Sequence, residues 1–217
     1  NLMKMKKIIF LLLVVYAGTL KGQELKFGVK AGLNLSSLRY DPEPPINFKL
    51  KPGFHIGGIF QYKLSEKFAL ESQLLYSQQG VKTQLENVML YGSNPGDPFI
   101  GPPNGITVEA TTMLNYINLP ILAKYYFKEG LFVNLGPQLG YLINAKAEEK
   151  NVKFDMKEYY TDIDLGLNGG LGYEFPNGII VNANYYLGLY DIYDVKSPFI
   201  EQEVKQNVIQ FSVGYLF

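Results

Sequence analysis

Cysteine and tryptophan are absent from the 217 residues, and there is a single histidine, His55. Without cysteine there is no disulfide framework and no thiolate metal centre, and one histidine leaves no zinc site to assemble. No cofactor-binding motif appears either. Positive charge is not in excess: 20 basic residues meet 20 acidic ones. Nucleic acid is recognised through a basic patch, so a nucleic-acid partner is excluded. Long apolar runs are also missing. The longest, Ile8–Leu20, is about 13 residues, short of the roughly 20 that a membrane-spanning helix needs.

That run follows Lys4, Lys6 and Lys7. A basic start, a short apolar stretch and then polar residues are the pattern of an export signal. The expected leader is residues 1–22, cut after Gly22, with the natural start at Met3 or Met5. A mature domain of residues 23–217 follows. The leader carries four lysines and no acid, so its removal leaves 16 basic against 20 acidic residues, a net charge of −4.

What the chain does have is glycine (22), tyrosine (17) and a strict period of two. In Gln206–Phe217 the residues Ile209, Phe211, Val213, Tyr215 and Phe217 fall on one side of an extended chain. Val208, Gln210, Ser212, Gly214 and Leu216 fall on the other. Such alternation marks a strand between two different environments. A strand that runs on to a terminal aromatic suits a closed barrel, whose last strand pairs with its first.

Seven more stretches alternate in the same way: Leu25–Ser36, Gly53–Leu64, Phe68 onward towards Gln84, Thr112–Phe127, Leu131–Ile143, Asp162–Phe175 and Ile179–Tyr190. Pro120 and Pro137 interrupt two of them, and a bulge is expected at Pro120. Ser65–Lys67, Lys128–Gly130 and Pro176–Gly178 read as short turns. Arg39–Lys51, Glu86–Ala110, Asn144–Thr161 and Asp191–Lys205 read as long loops. Short and long connections therefore alternate. The expected fold is all-β: an eight-stranded antiparallel up-and-down transmembrane β-barrel with short periplasmic turns and long extracellular loops.

Alternation by itself does not say which face meets which environment. A lipocalin-like barrel turns its apolar face inward around a ligand, whereas an outer-membrane barrel turns it out into lipid. Aromatics near the strand ends, such as Phe60, Phe68, Tyr125, Phe127, Phe175 and Tyr215, suit interfacial girdles and favour lipid.

The leader ending near Gly-Gln, the strand FGVKAGLNLS, the segment YINLPILAKYYF and the terminal aromatic resemble the small outer-membrane β-barrel proteins of Bacteroidetes, the PorT-like group. The resemblance covers essentially the whole mature chain. It implies insertion in outer-membrane lipid by the barrel-assembly machinery, with Phe217 in the assembly signal. It also suggests a link to protein export or envelope maintenance, and no enzymatic activity is carried over from it.

Three groups of residues are candidate sites. Lys26, Lys63, Glu71, Lys124 and Glu174 share the polar parity near the short-turn end. Buried charges must pair, so they form either a salt-bridged plug or a gate, with Glu71 and Lys124 as the expected pair. His55 also points inward. It would serve a lipid-modifying hydrolase only with a serine or carboxylate beside it and an oxyanion site; otherwise it is an interior hydrogen-bonding residue. In the loop Glu86–Ala110, Met89, Leu90, Tyr91, Phe99 and Ile100 offer apolar anchors for a protein partner. The loop Asn144–Thr161 is a mixed-charge surface.

Overall fold

The computed structural model describes residues 24–44, 47–88, 106–149, 152–194 and 202–217. The expected leader, and the loop anchors Met89, Leu90, Tyr91, Phe99 and Ile100, lie outside the described residues. The strands are β1 (Glu24–Asp41), β2 (Asn47–Lys63), β3 (Phe68–Val88), β4 (Ile106–Tyr126), β5 (Leu131–Glu149), β6 (Val152–Asp155), β7 (Ile163–Glu174), β8 (Ile179–Gly188) and β9 (Glu203–Leu216).

Every pairing is antiparallel. Sequence neighbours pair in turn except at β6, where β7 pairs with β5, and β9 pairs with β1. Eight strands therefore close into a ring with no free edge. The short β6 pairs with the outer part of β5 on the edge that β7 takes lower down, so it continues that place in the ring.

The period of two sorts the side chains. Phe27, Val29 and Leu33 of β1 are exposed, Leu33 by 65 %, while Lys30, Asn34 and Ser36 between them are buried. The same inversion holds around the barrel, from Leu70 and Leu74 to Leu171 and Val213. An apolar exterior around a polar interior is stable only in a hydrocarbon solvent. The lipocalin-like alternative, which needs the apolar face inside, is overturned by this inversion. Aromatic pairs at the short-turn rim, including Phe68–Tyr125, Tyr173–Phe175 and Tyr215–Phe217, sit where a girdle belongs.

Several expectations need correction. Arg39–Lys51 is largely strand, because β1 runs to Asp41 and β2 begins at Asn47. Asn144–Thr161 holds the end of β5, then β6, then a short 3-10 turn at Lys157–Tyr159. Beyond the lipid belt both faces of a strand can be polar, so alternation fades although pairing continues. The bulge expected at Pro120 is absent: β4 keeps one register against β3 and β5 across it. Proline lacks only the donor, and the ladder is interrupted on one side without a slip. The register shift between β4 and β5 lies instead at Asn115/Tyr116.

Candidate functional site: a three-tiered interior

The interior changes character along the barrel axis. The inner tier, at the short-turn end, is charged. Lys124 is 1 % exposed and Glu71 4 %. The Lys124 ammonium donates to Glu71 Oε2 at 2.9 Å and to Gln61 Oε1 at 2.7 Å, and lies 3.6 Å from Glu174 Oε2. Lys26 approaches the other Glu174 oxygen at 3.6 Å. The Tyr126 hydroxyl donates to Glu174 at 2.6 Å, and the Phe132 ring packs 3.9 Å from the Lys124 ammonium.

Four of the five residues singled out by parity thus stand in one linked network. Lys63 does not join it. Its ammonium sits 5.8 Å above the Tyr126 ring and makes no ion pair among the described residues. Sequence reasoning missed Gln61, Gln73, Tyr126 and Lys30, which complete the tier. The signal was available, since all four share the inward parity of their strands. Gln73 bridges by donating to Glu71 and accepting from Lys30 at 3.3 Å. The inner mouth is a vestibule of about 800 Å³ that reaches Lys26, Tyr126 and Glu174.

The middle tier is neutral and polar. His55 Nδ1 lies 2.8 Å from Asn34 Oδ1, and His55 Nε2 lies 2.9 Å from Ser212 Oγ. The Asn34 amide nitrogen is already committed to Ser77 Oγ and to the Phe54 and Gln78 carbonyls. Its oxygen must therefore accept, which puts the imidazole proton on Nδ1 and leaves Nε2 to accept from the serine hydroxyl. A serine, a histidine and an orienting amide are in line, as in a nucleophilic triad.

The strand register explains the meeting. Gly32 of β1 pairs with His55 on one side and Ser212 on the other. With no side chain at Gly32, the two reach each other across it. A Cβ there would lie 2.7 Å from His55 Cε1. That same closeness fills the space a substrate would need, and His55 is 1 % exposed. On the opposite wall, Asn184 donates to Asn134 and Asn168, and Asn168 donates to Gln138 and Gln210.

The outer tier is largely apolar, although Lys51, Asp164 and Gln206 are also buried in the outer half. Leu38, Val81, Leu114, Tyr116, Leu142, Ala145, Ile192 and Val204 form one buried cluster within the mouth. Tyr40, Phe48, Met156, Tyr160 and Tyr193 pack against it, with Tyr40 stacked on Phe48 at 4.5 Å. Burial, followed by the neighbouring Tyr193, pushes the Tyr40 phenol up to about 12. None of this cluster was singled out from the sequence, because it occupies inward positions that read as polar lower down.

The described interior is occupied by side chains at all three levels. Among the described residues, no three His, Cys, Asp or Glu side chains come together in a group that could hold a metal.

Several solved structures are similar to this chain. The Neisserial surface protein NspA shares 14 % identity, with 88 % of this chain and 97 % of that one covered and a TM-score of 0.52. Ail, the attachment invasion locus protein of Yersinia pestis, shares 15 % identity over 89 % of this chain and 99 % of that one, with a TM-score of 0.45. OprG from Pseudomonas aeruginosa shares 13 % over 88 % and 95 %, with a TM-score of 0.44. Among curated proteins none matches the sequence. The sequence matches the outer membrane protein beta-barrel domain over residues 20–194. The chain belongs to that family, and its fold is that of an eight-stranded outer-membrane barrel.

Proposed function

We propose that the protein is a non-enzymatic structural or interaction protein of the outer membrane, sealed inside and presenting its outer strands to a protein partner. The observation that carries this reading is the filled interior, with Lys124 held among Glu71, Gln61 and Glu174 at one end and an apolar cluster at the other. The charged tier is read as a plug. An eight-stranded barrel is just wide enough for side chains to fill.

The outer strands support the second half of the proposal. β3 and β4 have 21 residues each, whereas β8 has 10. A tilted strand crosses hydrocarbon in roughly 9–11 residues. β3 and β4 thus carry about ten residues each beyond the span. With the ends of β5 and β6 they make a tongue, on which Val152 and Phe154 of β6 are exposed. Export by the leader, insertion through the barrel-assembly machinery with Phe217 in the signal, and PorT-like kinship within Bacteroidetes belong to the same proposal. They rest on the residues quoted for the resemblance.

Single-channel recording in planar bilayers tests the seal. The wild-type barrel is expected to show no stable large conductance, and a persistent open pore would overturn the reading.

A second reading has one observation in its favour, the Ser212–His55–Asn34 relay, which could serve a lipid-modifying hydrolase. Burial of all three side chains counts against it. Lipid A from cells carrying His55→Ala is expected to match wild type by mass spectrometry, and a changed acylation pattern would favour the hydrolase.

A further inference from the structure

The lipid-facing surface is not uniformly filled. Where β5, β7, β8, β9 and β1 run side by side, a groove of about 600 Å³ crosses the strands. Strand register defines its two banks. One row runs Leu33, Phe211, Ala183, Leu171, and the next runs Ala31, Val213, Val181, Tyr173. Ala31 and Ala183 are the small positions where the surface dips between larger neighbours.

The course of the groove matters as much as its depth. It starts at Leu33, well up β1, and descends across five strands to Leu131, the first residue of β5. Five strands at about 4.8 Å spacing make a path of roughly 19 Å, close to an extended acyl chain. At Leu131 and Tyr173 it meets a second hollow whose other lining residues are Lys128 and Glu129. Both belong to the short turn before β5 and are exposed at the inner rim.

We propose that this groove binds one phospholipid of the periplasmic leaflet, with a zwitterionic, amine-bearing headgroup. The acyl chain lies between the two rows, with its end towards Leu33 near the middle of the bilayer. The headgroup phosphate meets the Lys128 ammonium, and the headgroup ammonium meets the Glu129 carboxylate. Adjacent charges of opposite sign match a zwitterion, whereas an anionic headgroup without an amine leaves Glu129 without a cationic partner. The inference rests on the outer-membrane reading, because only that reading places the short turns in the periplasmic leaflet.

Native mass spectrometry tests it. The barrel is extracted from outer membranes, stripped of lipid in neutral detergent, and offered equal amounts of dioleoyl phosphatidylethanolamine and dioleoyl phosphatidylglycerol. The folded state is checked first by the difference in gel mobility between boiled and unboiled samples. A protein that shows no such difference fails the outer-membrane reading itself. A folded barrel is expected to retain one phosphatidylethanolamine, with about tenfold less phosphatidylglycerol. Ala31→Leu combined with Ala183→Leu fills the groove and abolishes the adduct. Ala123→Leu, also lipid-facing but on β4, leaves it intact. Glu129→Gln removes the preference between the two lipids, whereas Lys128→Gln weakens retention of both and leaves the preference in place. For a folded barrel, four results overturn the proposal: no retained lipid, an adduct that survives the filled groove, equal retention of both lipids by wild type, or a dimer of this chain in place of the adduct.

Discussion

The two ends of the barrel interior are filled by side chains of contrasting chemistry. At the inner end Lys124 stands among Glu71, Glu174 and Gln61; at the outer end Leu114, Leu142 and Ile192 close on one another. A charged seal is specific and unforgiving. It holds only while every charge has its partner, and removing one leaves the others stranded in a low dielectric. An apolar seal is tolerant, because loss of a methyl group costs contacts but leaves nothing uncompensated. The inner end is a rim of tight turns. The outer end is a wide mouth lined by long strands, where non-directional packing can fill an irregular space.

The comparison is broken most sharply at Lys124. Lys124→Met leaves Glu71 and Glu174 facing each other, and should cost about 3–5 kcal/mol. Urea unfolding in lipid vesicles measures it, and Glu71→Gln in the same chain should restore part of the loss. A loss below about 1 kcal/mol would mean that the charges are hydrated and seal nothing.

Leu142→Ala at the other end should cost about 2–4 kcal/mol, with no change in conductance, because the charged tier still blocks the path. A pore opened by this substitution alone would show that the outer cluster is the real seal.

Between the two tiers, Gly32→Ala pushes a methyl group into the His55 ring and against the Phe211 carbonyl. Overpacking of this kind should cost roughly 1–3 kcal/mol. In imidazole NMR spectra, His55 should lose its hydrogen bond to Ser212. An unchanged spectrum would mean that the strands shift freely there.

The smallest effect concerns pH. Burial raises the Tyr40 phenol from 10.0 to about 12. A group whose folded value is raised contributes stability that is fully present below its unfolded value. That contribution is lost as pH rises from about 10 through 12. Proteolysis of the outer strands should therefore speed up above pH 10, and Tyr40→Phe should remove that part of the pH dependence.

Much of this was legible in advance, for a specific reason. Inward and outward positions alternate without exception in the lipid belt, so parity alone brought Lys26, Glu71, Lys124 and Glu174 into one tier. Lys63 shares that parity, but it sits at the last residue of β2, where its side chain reaches the Tyr126 ring instead of the network. Ser212 was not linked to His55, because 157 residues separate them in sequence. Their contact depends on the register of β9, β1 and β2, and on the missing side chain at Gly32. The outer strands read as loops in the sequence because, outside hydrocarbon, no solvent enforces a period of two.

The sequence by itself determined that the chain is a barrel, how many strands close it and which side chains share a face. Those are consequences of a two-residue period imposed on every strand by two immiscible surroundings. Only the tertiary structure decided which inward residues meet, that the apolar face is the outer one, and where the surface is hollow. Contacts across a barrel depend on register, and register is set by pairing between strands that are far apart in the chain.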